Sequence, residues 1–126
     1  MGLGIFSKKG LAFEKIGLSK SKINSNETTT LTVNVKNFKE KFEDITVITK
    51  TDDAANQYLT ISKPTLRLPS LDFPNRNTGD QVITINPYNI PIQKMSFKIR
   101  VEVYTNNAKK LMLKKEFDLT VHKKEI

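Results

Sequence analysis

The amino-acid sequence predicts an all-β chain, folded as an antiparallel two-sheet sandwich of seven to eight strands. Apolar and polar residues alternate with a period of two through most of the chain, the spacing that gives a strand one buried and one solvated face. Turn-forming residues interrupt these runs at the intervals a sandwich needs. No helical stretch separates the strands, which excludes a parallel sheet built from βαβ units.

The elements follow in order. Residues 13–19 form a first, weaker strand, and Asn24-Ser25-Asn26 turns the chain. Leu31, Val33 and Val35 then alternate with Thr32, Asn34 and Lys36, behind a Thr28-Thr29-Thr30 run whose branched side chains suit a pleated sheet. A polar connection over 37–44 precedes Ile45 and Val47, and residues 52–57 can cap one helical turn. Residues 58–62 and 65–68 are short candidates. Asn75-Arg76-Asn77-Thr78-Gly79 leads into Val82, Ile83 and Ile85, which stop at Asn86-Pro87, and Pro87 and Pro91 bracket a loop. Phe97, Ile99, Val101 and Val103 against Lys98, Arg100, Glu102 and Tyr104 make the clearest strand. Beyond Asn106-Asn107, Leu111, Leu113, Phe117, Leu119 and Val121 make the last.

At 126 residues and one hydrophobic set, the chain is a single domain, able to hide roughly two-thirds of its unfolded surface without a staple. The expected division is a basic tail at 1–12, the sandwich at 13–122 and a short tail at 123–126. Leu31, Val33, Val35, Ile45, Val47, Ile83, Ile85, Phe97, Ile99, Val101, Phe117 and Leu119 are expected to point inward. Leu66, Leu68, Leu71 and Phe73 are either further core or an apolar docking patch, with core the simpler reading.

The run from Ile23 through Asn26-Glu27-Thr28-Thr29-Thr30-Leu31-Thr32-Val33-Asn34-Val35 to Lys36-Asn37 resembles the second strand of archaeal and bacterial immunoglobulin-like modules of the cell-adhesion-related (CARDB-like) type. There, too, a turn leads into an alternating Thr/Val strand ending in Lys-Asn, and the later strand spacing is similar, so the likeness extends over residues 13–122. In this chain Asn26-Glu27 replaces the usual Pro-Gly turn, and no glycine follows Asn37. The resemblance implies an immunoglobulin-like sandwich with a binding rather than catalytic role, in a family that is typically extracellular. That family has no fixed functional residues, so none is carried over.

Composition narrows the chemistry. There is no cysteine, hence no disulfide, thiolate or cysteine-ligated metal, and the single histidine, His122, leaves no second imidazole for a metal site or proton relay. A hydrolytic triad would have to recruit His122 close to the C-terminus. Glu43-Asp44 and Asp52-Asp53 are paired carboxylates, but no spaced acidic loop with its glycine surrounds them, so they read as turn and cap residues rather than calcium ligands. Gly2, Gly4, Gly10, Gly17 and Gly79 form no phosphate-cradling loop. The expectation is no enzyme, no cofactor and no metal. Asn26-Glu27-Thr28 fits the glycosylation triplet, a pattern common by chance.

The charge is +8, and it is uneven. Residues 1–41 hold eight basic and three acidic side chains, 42–104 seven of each, and 105–126 six against three. In an immunoglobulin-type sandwich the loops after the second and sixth strands, and that before the fifth, share one end with the start of the first. Lys8, Lys9, Lys36, Lys39, Lys41, Arg76, Lys109 and Lys110 are thereby expected at one pole, diluted by Glu40, Asp72 and Asp80. These eight are the candidate anion- or partner-binding residues; the alternative is a merely solubilising surface. Lysines number eighteen against Arg67, Arg76 and Arg100, a balance suited to neutralising charge rather than reading base edges.

Two functions fit. The first is a non-catalytic module docking a protein or anionic polymer through loops, a strand edge or the lysine-rich pole. The second is a basic protein associated non-specifically with nucleic acid. Apolar residues 2–6 precede Lys8-Lys9, the reverse of a signal peptide, and no run approaches the roughly 18 apolar residues of a membrane span, so a cytoplasmic location is expected.

The sharpest expectation is a register. If the last two strands pair with residue numbers summing to 216, Phe97 faces Leu119, Ile99 faces Phe117 and Val103 faces Leu113. The other face then sets Lys98 opposite Asp118, Arg100 opposite Glu116 and Glu102 opposite Lys114, whereas a sum of 214 would put Arg100 beside Lys114. Lys115 falls inward opposite Val101, which requires a bulge there or a lysine stem along the core margin with its ammonium in water.

Overall fold

The computed structural model describes residues 10–38, 41–52, 57–68, 70–71, 76–105 and 109–124. The expectations placed on Lys8, Lys9, Lys39, Glu40, Asp53, Asp72, Phe73, Asn75 and the Asn106-Asn107 turn, and most of the helical turn at 52–57, lie outside the described residues.

Nine strands form two sheets. They are β1 (Leu11–Leu18), β2 (Lys22–Asn24), β3 (Thr29–Asn37), β4 (Thr46–Thr51), β5 (Leu59–Ile61), β6 (Thr65–Arg67), β7 (Gln81–Pro87), β8 (Lys94–Thr105) and β9 (Lys110–His122). The first sheet runs β1-β3-β7-β5 and the second β2-β9-β8-β4-β6, with every pairing antiparallel except β2 with β9. The expected immunoglobulin-like sandwich is present. Its count exceeds the expected seven to eight because the first edge divides in two: β1 lies on β3, and the chain then crosses to lay β2 against β9.

The crossing has a local cause. Thr29 is only 1% exposed, and its hydroxyl accepts from the Lys20 amide at 3.0 Å and donates to the Lys20 carbonyl at 2.7 Å. Ser19 bonds to Thr30 through backbone and side chain. This clamp stops β1 and releases the chain toward the second sheet, where Ile23 is buried and pairs with Val121. Asn24 and Glu27 then close the next turn, the Asn24 amide donating to the Glu27 carboxylate at 2.8 Å.

The facing sheets enclose one core. Eleven of the twelve residues expected inward are at most 5% exposed, and the twelfth, Phe117, is half-buried against the cluster. Leu68 and Leu71 are buried in it and Leu66 packs partly against it, so these three are core rather than a docking patch.

The β8–β9 register sums to 216 from Lys94↔His122 through Val103↔Leu113, with all six anticipated rungs in place. The bulge falls between Val103 and Tyr104, where Met112 is left over, not at Lys115. Lys115 stays in register opposite the fully buried Val101 with no bulge at that position, and is itself exposed.

Candidate interaction surface

Five of the eight candidate basic residues, Lys36, Lys41, Arg76, Lys109 and Lys110, are described. Lys36, at the close of β3, bridges to Asn77, and the neighbouring Asn37 amide donates to the Arg76 carbonyl at 3.0 Å. Lys110 opens β9 opposite Thr105, and Thr105 lines a depression of about 380 Å³ with Lys41, Phe42, Glu43 and Asp44.

A residue with no marked sequence signal holds this end together. Asn37 is fully buried; its side-chain oxygen accepts from the Arg76 amide at 2.8 Å and its side-chain nitrogen donates to the Leu71 carbonyl at 3.4 Å. Leu71 exchanges backbone bonds with Phe42 at 2.8 and 2.9 Å. The β3–β4 and β6–β7 connections are thus tied together through one amide side chain, whose polar atoms would be costly to bury unpaired.

The pole's charges are not equivalent. Lys41 lies 3.0 Å from Glu43, and with Asp44 beside them the depression carries more acid than base, so it does not suit an anion. Lys36 rests its ammonium 5.8 Å from the Phe38 ring centroid, a cation–π contact. Asp80 is drawn away by Asn34, whose amide donates at 2.9 Å and holds the carboxyl below its ordinary value, with Lys15 at 3.5 Å adding to the effect. Lys109 and Lys110 are exposed, and among the described residues neither forms an ion pair.

Two of the three expected charge rungs on the outer face of the second sheet are ion pairs. Lys98 meets Asp118 at 2.6 Å, and Arg100 places Nε and Nη2 each 3.3 Å from Glu116. The Asp118 hydrogen bond, then its charge, raises the Lys98 ammonium above its ordinary value. Glu102 departs from the expected rung. It is 8% exposed, lies 2.8 Å from Lys50 and accepts from the Tyr104 hydroxyl at 3.0 Å. The Lys50 hydrogen bond, opposed by burial and aided by Tyr104, holds the Glu102 carboxyl below its ordinary value.

The edges complete the surface. β2 pairs only with Thr120, Val121 and His122, so among the described residues no strand is hydrogen-bonded to the outer side of β9 over 110–119, although β1 of the other sheet approaches β9. This is the longest exposed edge the register leaves on that sheet, and its backbone groups can receive another strand. No described helix is long and apolar enough to cross a membrane.

No family model matches the chain, and no curated protein matches it either. Among solved structures it is similar to the periplasmic chaperone SfaE, with a TM-score of 0.56 and 12% identity over 89% of this chain and 58% of that one. It is also similar to the YadV chaperone, with a TM-score of 0.53 and 16% identity over 88% and 53%. A family 123 glycoside hydrolase from Clostridium perfringens matches at a TM-score of 0.49 and 9% identity, over 83% and 22%. The chain spans little more than half the length of the two chaperones. At these identities the likeness to the chaperones is one of fold, and the class it defines is the immunoglobulin-like β-sandwich.

Proposed function

We propose that this chain is a non-catalytic binding module that docks a partner protein by adding an extended segment of it to the open edge of β9, beside the lysine-rich pole of Lys36, Lys41, Arg76, Lys109 and Lys110. The observation that carries this reading is the uncovered edge over 110–119, next to a short strand that occupies only three positions of β9. Strand addition takes its affinity from main-chain hydrogen bonds and its selectivity from side chains on either side of the new strand. The similarity in fold to two proteins described as chaperones supports a role in binding other proteins. Lys50, Lys98 and Arg100 on the face of the second sheet are already paired with acids, whereas Lys109 and Lys110 are exposed and have no ion pair among the described residues, which supports a role for them in meeting a partner.

The test is position-resolved cross-linking in extract of the native organism. A photoreactive side chain replacing Glu116, on the β9 edge, is expected to capture a discrete partner. The same group replacing Val82, exposed on the outer face of the other sheet, is expected not to. Equal capture at both positions, or capture at Val82 alone, would overturn the reading.

A further inference from the structure

The β9 edge carries a charge pattern that nothing within the described fold neutralises. Lys109, Lys110, Lys114 and Lys115 are all exposed, and among the described residues none has an ion-pair partner. The two acids further along, Glu116 and Asp118, are bound by Arg100 and Lys98. Lys114 stands opposite Glu102, but Glu102 is held by Lys50 of β4 on its other side and by Tyr104 two residues along its own strand. Lys115 belongs by register to the core side, opposite Val101, yet is solvent-exposed on this edge strand.

We infer that the segment received by β9 is acidic: an extended stretch of a partner protein whose Asp and Glu side chains lie against Lys109, Lys110, Lys114 and Lys115. This rests on the strand-addition reading and specifies its partner. Lysines on an edge strand ordinarily keep other strands away, because pairing would bring their charges against a neutral or basic neighbour and strip their water. An acidic neighbour reverses the sign of that term while leaving the main-chain bonds unchanged. A second copy of this chain is rejected by the same lysines, since its own β9 edge repeats them. Exposed ion pairs are individually weak, and the four together amount to a preference of about tenfold.

The probes are three synthetic peptides matched in length to the edge, with Val and Thr alternating with Glu, with Gln or with Lys, and a short DNA duplex. Affinity is followed by fluorescence and location by amide hydrogen exchange. The Glu peptide is expected to slow exchange over residues 111–119 and to bind about tenfold more tightly than the Gln peptide, with the Lys peptide weaker still. This order should collapse at high salt. Lys114→Gln with Lys115→Gln should reduce the preference to about threefold, and Lys114→Glu with Lys115→Glu, which sets two acids against Lys109 and Lys110, should abolish it, circular dichroism verifying the fold of each. Equal protection by all three peptides would overturn the charge selection while leaving edge docking intact. No protection of β9 by any peptide would overturn both. Duplex binding that requires the same lysines and is tighter than the Glu peptide, with no slowing of β9 exchange, would assign the charge to nucleic acid and overturn the inference.

Discussion

Lys114 faces Glu102 across the β8–β9 ladder, but the Glu102 carboxylate is bound to Lys50, 2.8 Å away on β4. The reason lies one rung along, where register sets Lys50 directly opposite Arg100. Like charges so placed repel, and each finds an acid elsewhere: Lys50 reaches diagonally to Glu102 and Arg100 crosses to Glu116. Glu102 is central in the sheet and mostly buried, and the Tyr104 hydroxyl completes its bonding. Lys114 is left without a partner by this exchange among its neighbours.

Glu102 makes stability depend on pH in a defined direction. Its native value is depressed below the ordinary 4.5, chiefly by the Lys50 hydrogen bond. The unfolded state therefore binds the proton more readily, and the stabilisation is fully present above 4.5 and lost as pH falls through the native value. In denaturant titrations over the acid range, Glu102→Gln should be less stable than wild type at neutral pH and should lose less stability on acidification. An unchanged acid slope would remove Glu102 from the balance.

Phe97 is 5% exposed and faces Leu119. Phe97→Ala should cost about 3–5 kcal/mol, the usual range for removing a buried ring. Phe117→Ala should cost less, because Phe117 is only half-buried against the core. Urea unfolding of the two variants checks the order, and a larger loss at Phe117 would contradict the packing described.

Thr49 lies inward opposite Val101, 2% exposed, and among the described residues its hydroxyl has no hydrogen-bond partner. Valine has nearly the same shape without the unpaired oxygen. Thr49→Val should therefore raise stability by about 1 kcal/mol, measured as an increase in the urea midpoint at constant slope. A loss would imply that the hydroxyl is satisfied in solution.

Asn37→Ala should leave the Arg76 amide and the Leu71 carbonyl without their side-chain partner at the lysine-rich end. The expected loss is about 1–3 kcal/mol, with hydrogen exchange fastest to rise around Phe42 and Leu71, the pair the tie supports. Exchange that rises uniformly would argue against a local tie.

What the sequence determined by itself follows from periodicity two. Alternation assigns the residues of β3, β7 and β8, and those of β9 beyond the Met112 bulge, to a face, and with the faces known the charges Lys98, Arg100, Glu102, Lys114, Glu116 and Asp118 select one register of β8 on β9. The positions of Lys36 at the close of β3 and of Lys110 at the start of β9 were legible too, since they need only strand bounds. Period two says nothing about which sheet a strand joins. The crossing from β1 to β2 depends on Thr29 closing around Lys20, a contact nine residues away, and three residues of β2 are too few to show alternation. Asn37 in sequence is one polar residue at a strand end; it becomes the tie of the pole only when residues near 71 and 76 fold against it. The partner of Glu102 likewise could not be read along β8 and β9 alone. A carboxylate in the middle of a sheet has neighbours on both sides, and which cation it takes is decided by β4, more than forty residues earlier, where Lys50 must avoid Arg100.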